Sequence, residues 1–114
     1  MGLPDPDPAA AAAVTQRIFH EPTAALVDAH PGPTWRYRFA WRSGALGGRL
    51  GAAHAVDLPF VFDTLQTDGL RGDDGLLGPE GGPPELAERV HAAWIRFARA
   101  GAPGWEQGEL HVFR

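Results

Sequence analysis

The chain has 114 residues, enough for one small domain, and its 15 glycines and 11 prolines dilute an apolar content of 44%. Four tryptophans and six phenylalanines exclude a disordered tail, which would lack the side chains of a core. The net charge of −4 does not favour a nucleic-acid partner, because such binding needs clustered positive charge. The absence of cysteine excludes disulfides and thiolate metal sites.

The N-terminal part of the chain shows neither a membrane span nor a targeting signal. The longest apolar run, residues 9–14, is far shorter than a membrane-spanning helix. Asp5 and Asp7 stand where a secretory signal would be basic, and Gly2 lacks the Ser or Thr at position 6 that myristoylation requires. These features predict a cytoplasmic protein with no membrane partner.

Two helices and a strand are predicted in the first third of the chain. Residues 1–13, with prolines at positions 4, 6 and 8, predict an irregular lead-in. Thr15 is expected to cap a short helix that reaches about His20. A second helix is predicted from Pro22, because proline suits a first turn, to about His30, where a Pro-Gly-Pro run stops it.

The clearest strand is predicted over residues 35–41, where aromatic side chains alternate with arginine and alanine. The apolar run at residues 58–62 predicts a second, short strand. The glycine-rich stretch 43–53 is not a phosphate-binding loop, because the chain has no lysine. Residues 68–84 predict a solvated loop, whose aspartates do not follow the spacing of a calcium-binding EF-hand.

Residues 84–100 predict the strongest helix, which Gly101 is placed to close. Four apolar side chains form one stripe along it and are expected to face the core: Leu86, Val90, Trp94 and Phe97.

Together the predicted helices and strands do not make a complete fold. One or two strands and two to three helices, joined by long Gly/Pro-rich loops, leave the strand backbone without enough partners for a stable sheet. The sequence therefore predicts part of a larger fold.

One segment carries a motif that identifies that larger fold. It reads Gly51-Ala52-Ala53-His54-Ala55-Val56-Asp57-Leu58-Pro59-Phe60-Val61-Phe62. It resembles the catalytic-histidine segment of type B carboxylesterases, the cholinesterase-like branch of the α/β-hydrolases. Four further segments resemble that family in order and spacing: Thr15–Phe19 with Pro22, Trp35–Ser43, His91–Ala98 and Gly101–Trp105. The resemblance covers residues 14–105.

The resemblance implies an α/β fold, of which this chain is an incomplete C-terminal piece followed by a tail at residues 106–114. It implies that His54 is the general base of a serine-histidine-acid triad and that Asp57 is an acidic residue near the site. No cofactor or metal is implied. The chain lacks a Gly-x-Ser-x-Gly nucleophile elbow, and in this family the elbow, oxyanion loop and triad acid lie upstream. An ester substrate is therefore expected only if an N-terminal portion, or a complementing chain, is present.

Three alternatives compete with this interpretation. The first is a non-enzymatic module or remnant that docks onto a partner protein. The second is a metal site formed by His54, Asp57 and another histidine, which rests on weak spacing. The third is a triad of Ser43, His54 and Asp57, for which nothing in the sequence supplies an oxyanion hole.

Overall fold

The computed structural model describes residues 7–53 and 55–114 of the chain. In chain order, its α-helices and β-strands are α1 (Pro8–Thr15), α2 (Glu21–Ala29), β1 (Arg36–Phe39), α3 (Leu58–Val61), α4 (Pro84–Ala100) and β2 (Leu110–Phe113). They fall into two units, one within Met1–Thr34 and one within Trp35–Arg114. Among these residues, no helix is both long and apolar enough to cross a membrane.

The first unit is a helical rod that begins earlier than the sequence predicted. Residues 8–13 are helical and not irregular, because α1 starts at Pro8. The Asp7 carboxylate caps it by accepting the Ala9 N–H at 3.0 Å. Thr15 has helical φ and ψ and makes no capping hydrogen bond, so its prediction as a helix start is wrong. A capping Asp, a proline in the first turn and a run of alanines together favour the earlier start.

A wider π-helical turn, Gln16–His20, joins α1 to α2. The Glu21 N–H donates to the carbonyl of Gln16, five residues back. Pro22 follows, and a proline in a regular helix has no N–H for the carbonyl four residues back and collides with it. The wider turn accommodates this interruption. The predicted second helix is confirmed to within a residue at each end, since α2 ends one residue before His30.

The sheet in the second unit consists, within the described part of the chain, of two parallel strands. β1 pairs with β2 so that Arg36 lies opposite Leu110 and Phe39 lies opposite Phe113. The predicted strand at residues 35–41 is confirmed in its centre. Its partner comes from residues 106–114, for which the sequence predicts only a tail.

The predicted strand at residues 58–62 is wrong, because this run forms α3. Pro59 lies in the first turn, where its missing N–H is not needed, and the Val61 N–H donates to the Asp57 carbonyl at 3.0 Å. The Phe60 ring is fully buried, with its centroid 5.0 Å from that of Phe39 and 5.1 Å from that of Trp41. Phe60 therefore packs α3 against the strand region.

The long helix α4 agrees with its prediction over residues 84–100. Gly101 ends it in the left-handed conformation, at φ 75°, with its N–H on the Phe97 carbonyl at 2.8 Å. Leu86 and Val90 are fully buried, as the apolar stripe predicted. Trp94 and Phe97 are 43% and 47% exposed, so the second half of the stripe does not face the core.

The loop between α3 and α4 has no regular element but is folded against the core. Leu65 and Leu77 are buried in the same cluster as α4, which corrects the expectation of a merely solvated loop. The Leu77 N–H donates to the Leu70 carbonyl at 2.8 Å. Gly78 has φ 81°, and a Cβ there would lie 2.6 Å from the backbone nitrogen of Ala45. The loop thus packs tightly on the glycine-rich stretch that follows β1.

Candidate active-site segment

The segment that the motif singled out lies between β1 and α4 in the chain. His54, the predicted general base, lies outside the described residues. On either side of it, the Val56 N–H donates to the Ala53 carbonyl at 3.2 Å. Ala55 adopts φ 70°, a left-handed conformation that strains a residue with a Cβ. Val56 is fully buried and fixes the chain two residues after His54.

Asp57, the predicted acidic residue near the site, lies half-buried immediately before α3. Its carbonyl accepts the N–H groups of Phe60 and Val61, both at 3.0 Å, while its carboxylate makes no capping hydrogen bond. The carboxylate acts electrostatically on the Tyr37 hydroxyl of β1. This side chain therefore places a negative charge beside β1.

The tyrosine next to this carboxylate has a perturbed acidity. Burial raises the pKa of Tyr37 above its ordinary value of 10.0. A hydrogen bond with the Trp94 side chain acts in the opposite direction, and the charge of Asp57 adds to the rise in pKa. Tyr37 therefore remains a neutral phenol at neutral pH.

Ser43 is the only serine in the chain, and it is part of the core rather than an exposed nucleophile. It is 2% exposed, and its hydroxyl donates to the Leu76 carbonyl at 2.6 Å and accepts the Ala45 N–H at 3.0 Å. Its own N–H donates to the Gly51 carbonyl at 3.0 Å. A carbonyl cannot take up the hydroxyl proton, so these contacts do not activate the oxygen for attack.

An aromatic groove of about 200 Å³ has Tyr37 in its lining. The half-exposed rings of α4 line it, with the Trp94 and Tyr37 centroids 6.2 Å apart and those of Phe97 and Trp35 6.0 Å apart. Trp105 also lines it, and its buried Nε1–H has no hydrogen-bond partner among the described residues. Sequence periodicity assigned these α4 side chains to the core and did not predict the groove.

The histidines of the described region are not arranged as metal ligands. His91 uses Nδ1 on the Val61 carbonyl at 2.8 Å, and His111 stacks on the Trp105 ring with centroids 4.4 Å apart. Over residues 7–53 and 55–114, no group of three His, Asp or Glu side chains could hold a metal ion. The alternative metal site therefore gains no support from these residues.

The chain matches no protein-family model. It is similar to a para-nitrobenzyl esterase of Bacillus subtilis, with 36% identity over 96 residues that cover 82% of this chain and 19% of the relative. A fumonisin B1 esterase of Sphingopyxis macrogoltabida is 39% identical over 72 residues, which cover 62% of this chain and 13% of the relative. A phenmedipham hydrolase of Pseudarthrobacter oxydans is 34% identical over 101 residues, again 82% and 19% of the two chains.

These relatives are members of the carboxylesterase and hydrolase group, so the similarity supports the family that the motifs indicated. It is also partial. The chain spans less than a fifth of the length of each of these curated relatives.

Proposed function

We propose that this chain is the C-terminal part of a serine carboxylic ester hydrolase of the type B carboxylesterase branch of the α/β-hydrolases. The observation that carries the proposal is the 36% identity with para-nitrobenzyl esterase across 82% of this chain. The motif around His54 and the two parallel strands with their connecting helix support the same assignment. Resemblance to the family assigns His54 as general base and Asp57 as the acidic neighbour.

The chemistry follows from the imidazole of His54. It removes the proton from the hydroxyl of a serine as that oxygen attacks the carbonyl carbon of an ester. A tetrahedral intermediate forms, and the imidazolium then gives its proton to the departing alcohol, which leaves an acyl-enzyme. Water repeats the sequence, with His54 as base and then acid, and releases the carboxylic acid.

The described neighbours of His54 provide the support that a general base requires, because catalysis depends on a fixed geometry. Val56 and Phe60 are fully buried, and Gly51 is tied by its carbonyl to the Ser43 N–H. The half-buried Asp57 adds a negative charge near this segment. Such a charge stabilises the imidazolium that forms during the reaction.

The nucleophile, oxyanion donors and triad acid come, in this proposal, from the remainder of the hydrolase, either in one polypeptide or as a complementing chain. The sequence contains no Gly-x-Ser-x-Gly elbow, and Ser43 is buried and hydrogen-bonded. We therefore expect no ester hydrolysis by the 114-residue chain alone.

A chimera tests this proposal directly. The segment of Bacillus subtilis para-nitrobenzyl esterase that matches this chain is replaced by the chain itself, and hydrolysis of a chromogenic aryl ester is measured. We expect activity in the chimera and a fall in kcat on the order of 10³-fold or more in His54→Gln, because glutamine cannot exchange the proton. His111→Gln is the matched control and should retain its rate.

Two results would contradict the assignment. If the His54→Gln chimera keeps a tenth of the parent rate, His54 is not the general base. If the chimera folds but is inactive with His54 intact, the non-enzymatic docking module becomes the better interpretation of this chain.

A further inference from the structure

The short helix α3 leaves one of its carbonyls for a side chain of α4. Its first three carbonyl groups accept backbone N–H groups of the residues that follow the helix. The bonds are Phe62 N–H to Leu58 at 3.1 Å, Thr64 N–H to Pro59 at 2.8 Å and Asp63 N–H to Phe60 at 3.3 Å. The fourth, at Val61, accepts Nδ1–H of His91 at 2.8 Å. Because a carbonyl can only accept, Nδ1 of His91 carries a proton in this contact.

This hydrogen bond adds a directional contact to the apolar packing that holds α3. Phe60 contacts the rings of Phe39 and Trp41, and Val61 packs against the same core cluster as α4. His91 lies in the middle of the 17-residue helix α4 and adds a hydrogen bond between that helix and the C-terminal end of α3. Because a hydrogen bond is directional, it fixes the orientation of this end of α3 more closely than apolar contacts alone.

The restraint extends towards the proposed general base. The Asp57 carbonyl is bonded to the N–H groups of Phe60 and Val61, so Asp57 moves with α3. Asp57 follows His54 by three positions in the sequence, and Val56 between them is fully buried. A shift of α3 would therefore be transmitted to the backbone next to His54.

We infer that His91 is a positioning residue that fixes the Asp57–Val61 segment, which follows His54 in the chain, through its hydrogen bond to the Val61 carbonyl. The inference rests on the proposed role of His54 for its functional meaning. It concerns an orienting contact and gives His91 no part in proton transfer.

Three variants of the full 114-residue chain separate this role from general stability. Asparagine places its amide nitrogen near the position of histidine Nδ1, so His91→Asn should preserve the bond. His91→Gln places its amide nitrogen near Nε2, and His91→Leu has no donor, so both should break it. Glutamine and leucine are better helix formers than asparagine, so helix propensity predicts the opposite order.

Two quantities are measured by NMR: the rate of amide hydrogen exchange and the chemical shift of the His54 imidazole. The imidazole resonance is assigned by its disappearance in His54→Gln. In the leucine and glutamine variants, exchange at the Phe62 and Thr64 amides should accelerate about tenfold relative to α4, as expected for one lost hydrogen bond. The His54 resonance should shift in both variants. His91→Asn should restore both signals.

Unchanged exchange at Phe62 and Thr64 in both variants, or an unmoved His54 resonance, would overturn the inference. Equal exchange rates in His91→Asn and His91→Gln would overturn it as well. If His91→Leu does not fold, the comparison of these two variants is the test. Neither measurement uses ester hydrolysis. An inactive chimera would refute the proposed function and leave the His91 restraint standing, while failed rescue by asparagine would do the reverse.

Discussion

The buried hydroxyl of Ser43 offers a direct test of how the loops around the candidate segment are held. Ser43→Ala removes one oxygen and leaves both of its partners, the Leu76 carbonyl and the Ala45 N–H, without that contact. Alanine fits the space of serine, so no overpacking complicates the result. The change therefore isolates the two hydrogen bonds.

The expected magnitude follows from those two contacts. Each intramolecular hydrogen bond contributes about 1 kcal/mol net, and buried groups left unpaired add to the loss, so the free energy of unfolding should fall by about 2–3 kcal/mol. A loss of that size lowers the Tm of a domain this small by roughly 10 °C. Ser43 is 2% exposed, so water cannot readily replace the hydroxyl.

Urea unfolding followed by tryptophan fluorescence measures this loss, with the slope of the transition compared between proteins. Thr67→Ala removes an exposed hydroxyl from the neighbouring loop and should change the unfolding free energy by less than about 0.5 kcal/mol. A Ser43→Ala protein within 0.5 kcal/mol of the parent would refute the reasoning. It would show that the two hydrogen bonds do not hold the loops together.

Two further predictions concern backbone packing and acidity. Gly78→Ala should lower the free energy of unfolding by about 2 kcal/mol or more, because the new Cβ would lie 2.6 Å from neighbouring backbone. The control is Gly69→Ala, which has a similar positive φ but open space around it and should lose about 1 kcal/mol in the same urea titration. Equal losses in the two variants would contradict the close contact at Gly78. Tyr37 is the only tyrosine, so phenolate absorbance reports its titration alone. The midpoint should lie above pH 10 in the folded chain and near pH 10 in denaturant. It should rise further in Trp94→Phe, because that variant loses the hydrogen bond that lowers the pKa. The unfolded chain loses this proton at a lower pH than the folded chain. The contribution of Tyr37 to the free energy of unfolding should therefore be complete below pH 10 and decline as the pH rises through the folded pKa. A folded midpoint at pH 10 would contradict the burial argument.

Sequence periodicity predicted α4 because apolar residues recur at helical spacing from Leu86 to Phe97, and a local signal of that length is hard to mistake. The run at residues 58–62 is apolar without a period, and such a run does not distinguish a strand from a helix. Pro59 was the available signal, since proline favours a first helical turn and is confined to the edges of sheets. β2 has only four residues, and its pairing with β1 depends on tertiary contacts.

The candidate site was predicted as a motif and not as an arrangement. The spacing of His54 and Asp57 marked the segment, but nothing local indicated that His91 would bond to Val61 or that Ser43 would be buried. His91 and Val61 are 30 positions apart in the sequence, and Ser43 and Leu76 are 33 positions apart. Contacts of this kind arise only when the loops and α4 pack together.

The pairing of β1 with β2 also has a consequence for the order of folding. β1 ends at Phe39 and β2 begins at Leu110, so β1 is synthesised well before β2. Within the described residues β1 pairs with β2, so this pairing cannot form until Phe113 has been synthesised. Such long-range parallel pairing is slow, because loop closure must precede it. During that interval the edge of β1 that will bond β2 is unpaired, and an unpaired strand edge is an aggregation-prone surface that chaperones are suited to cover.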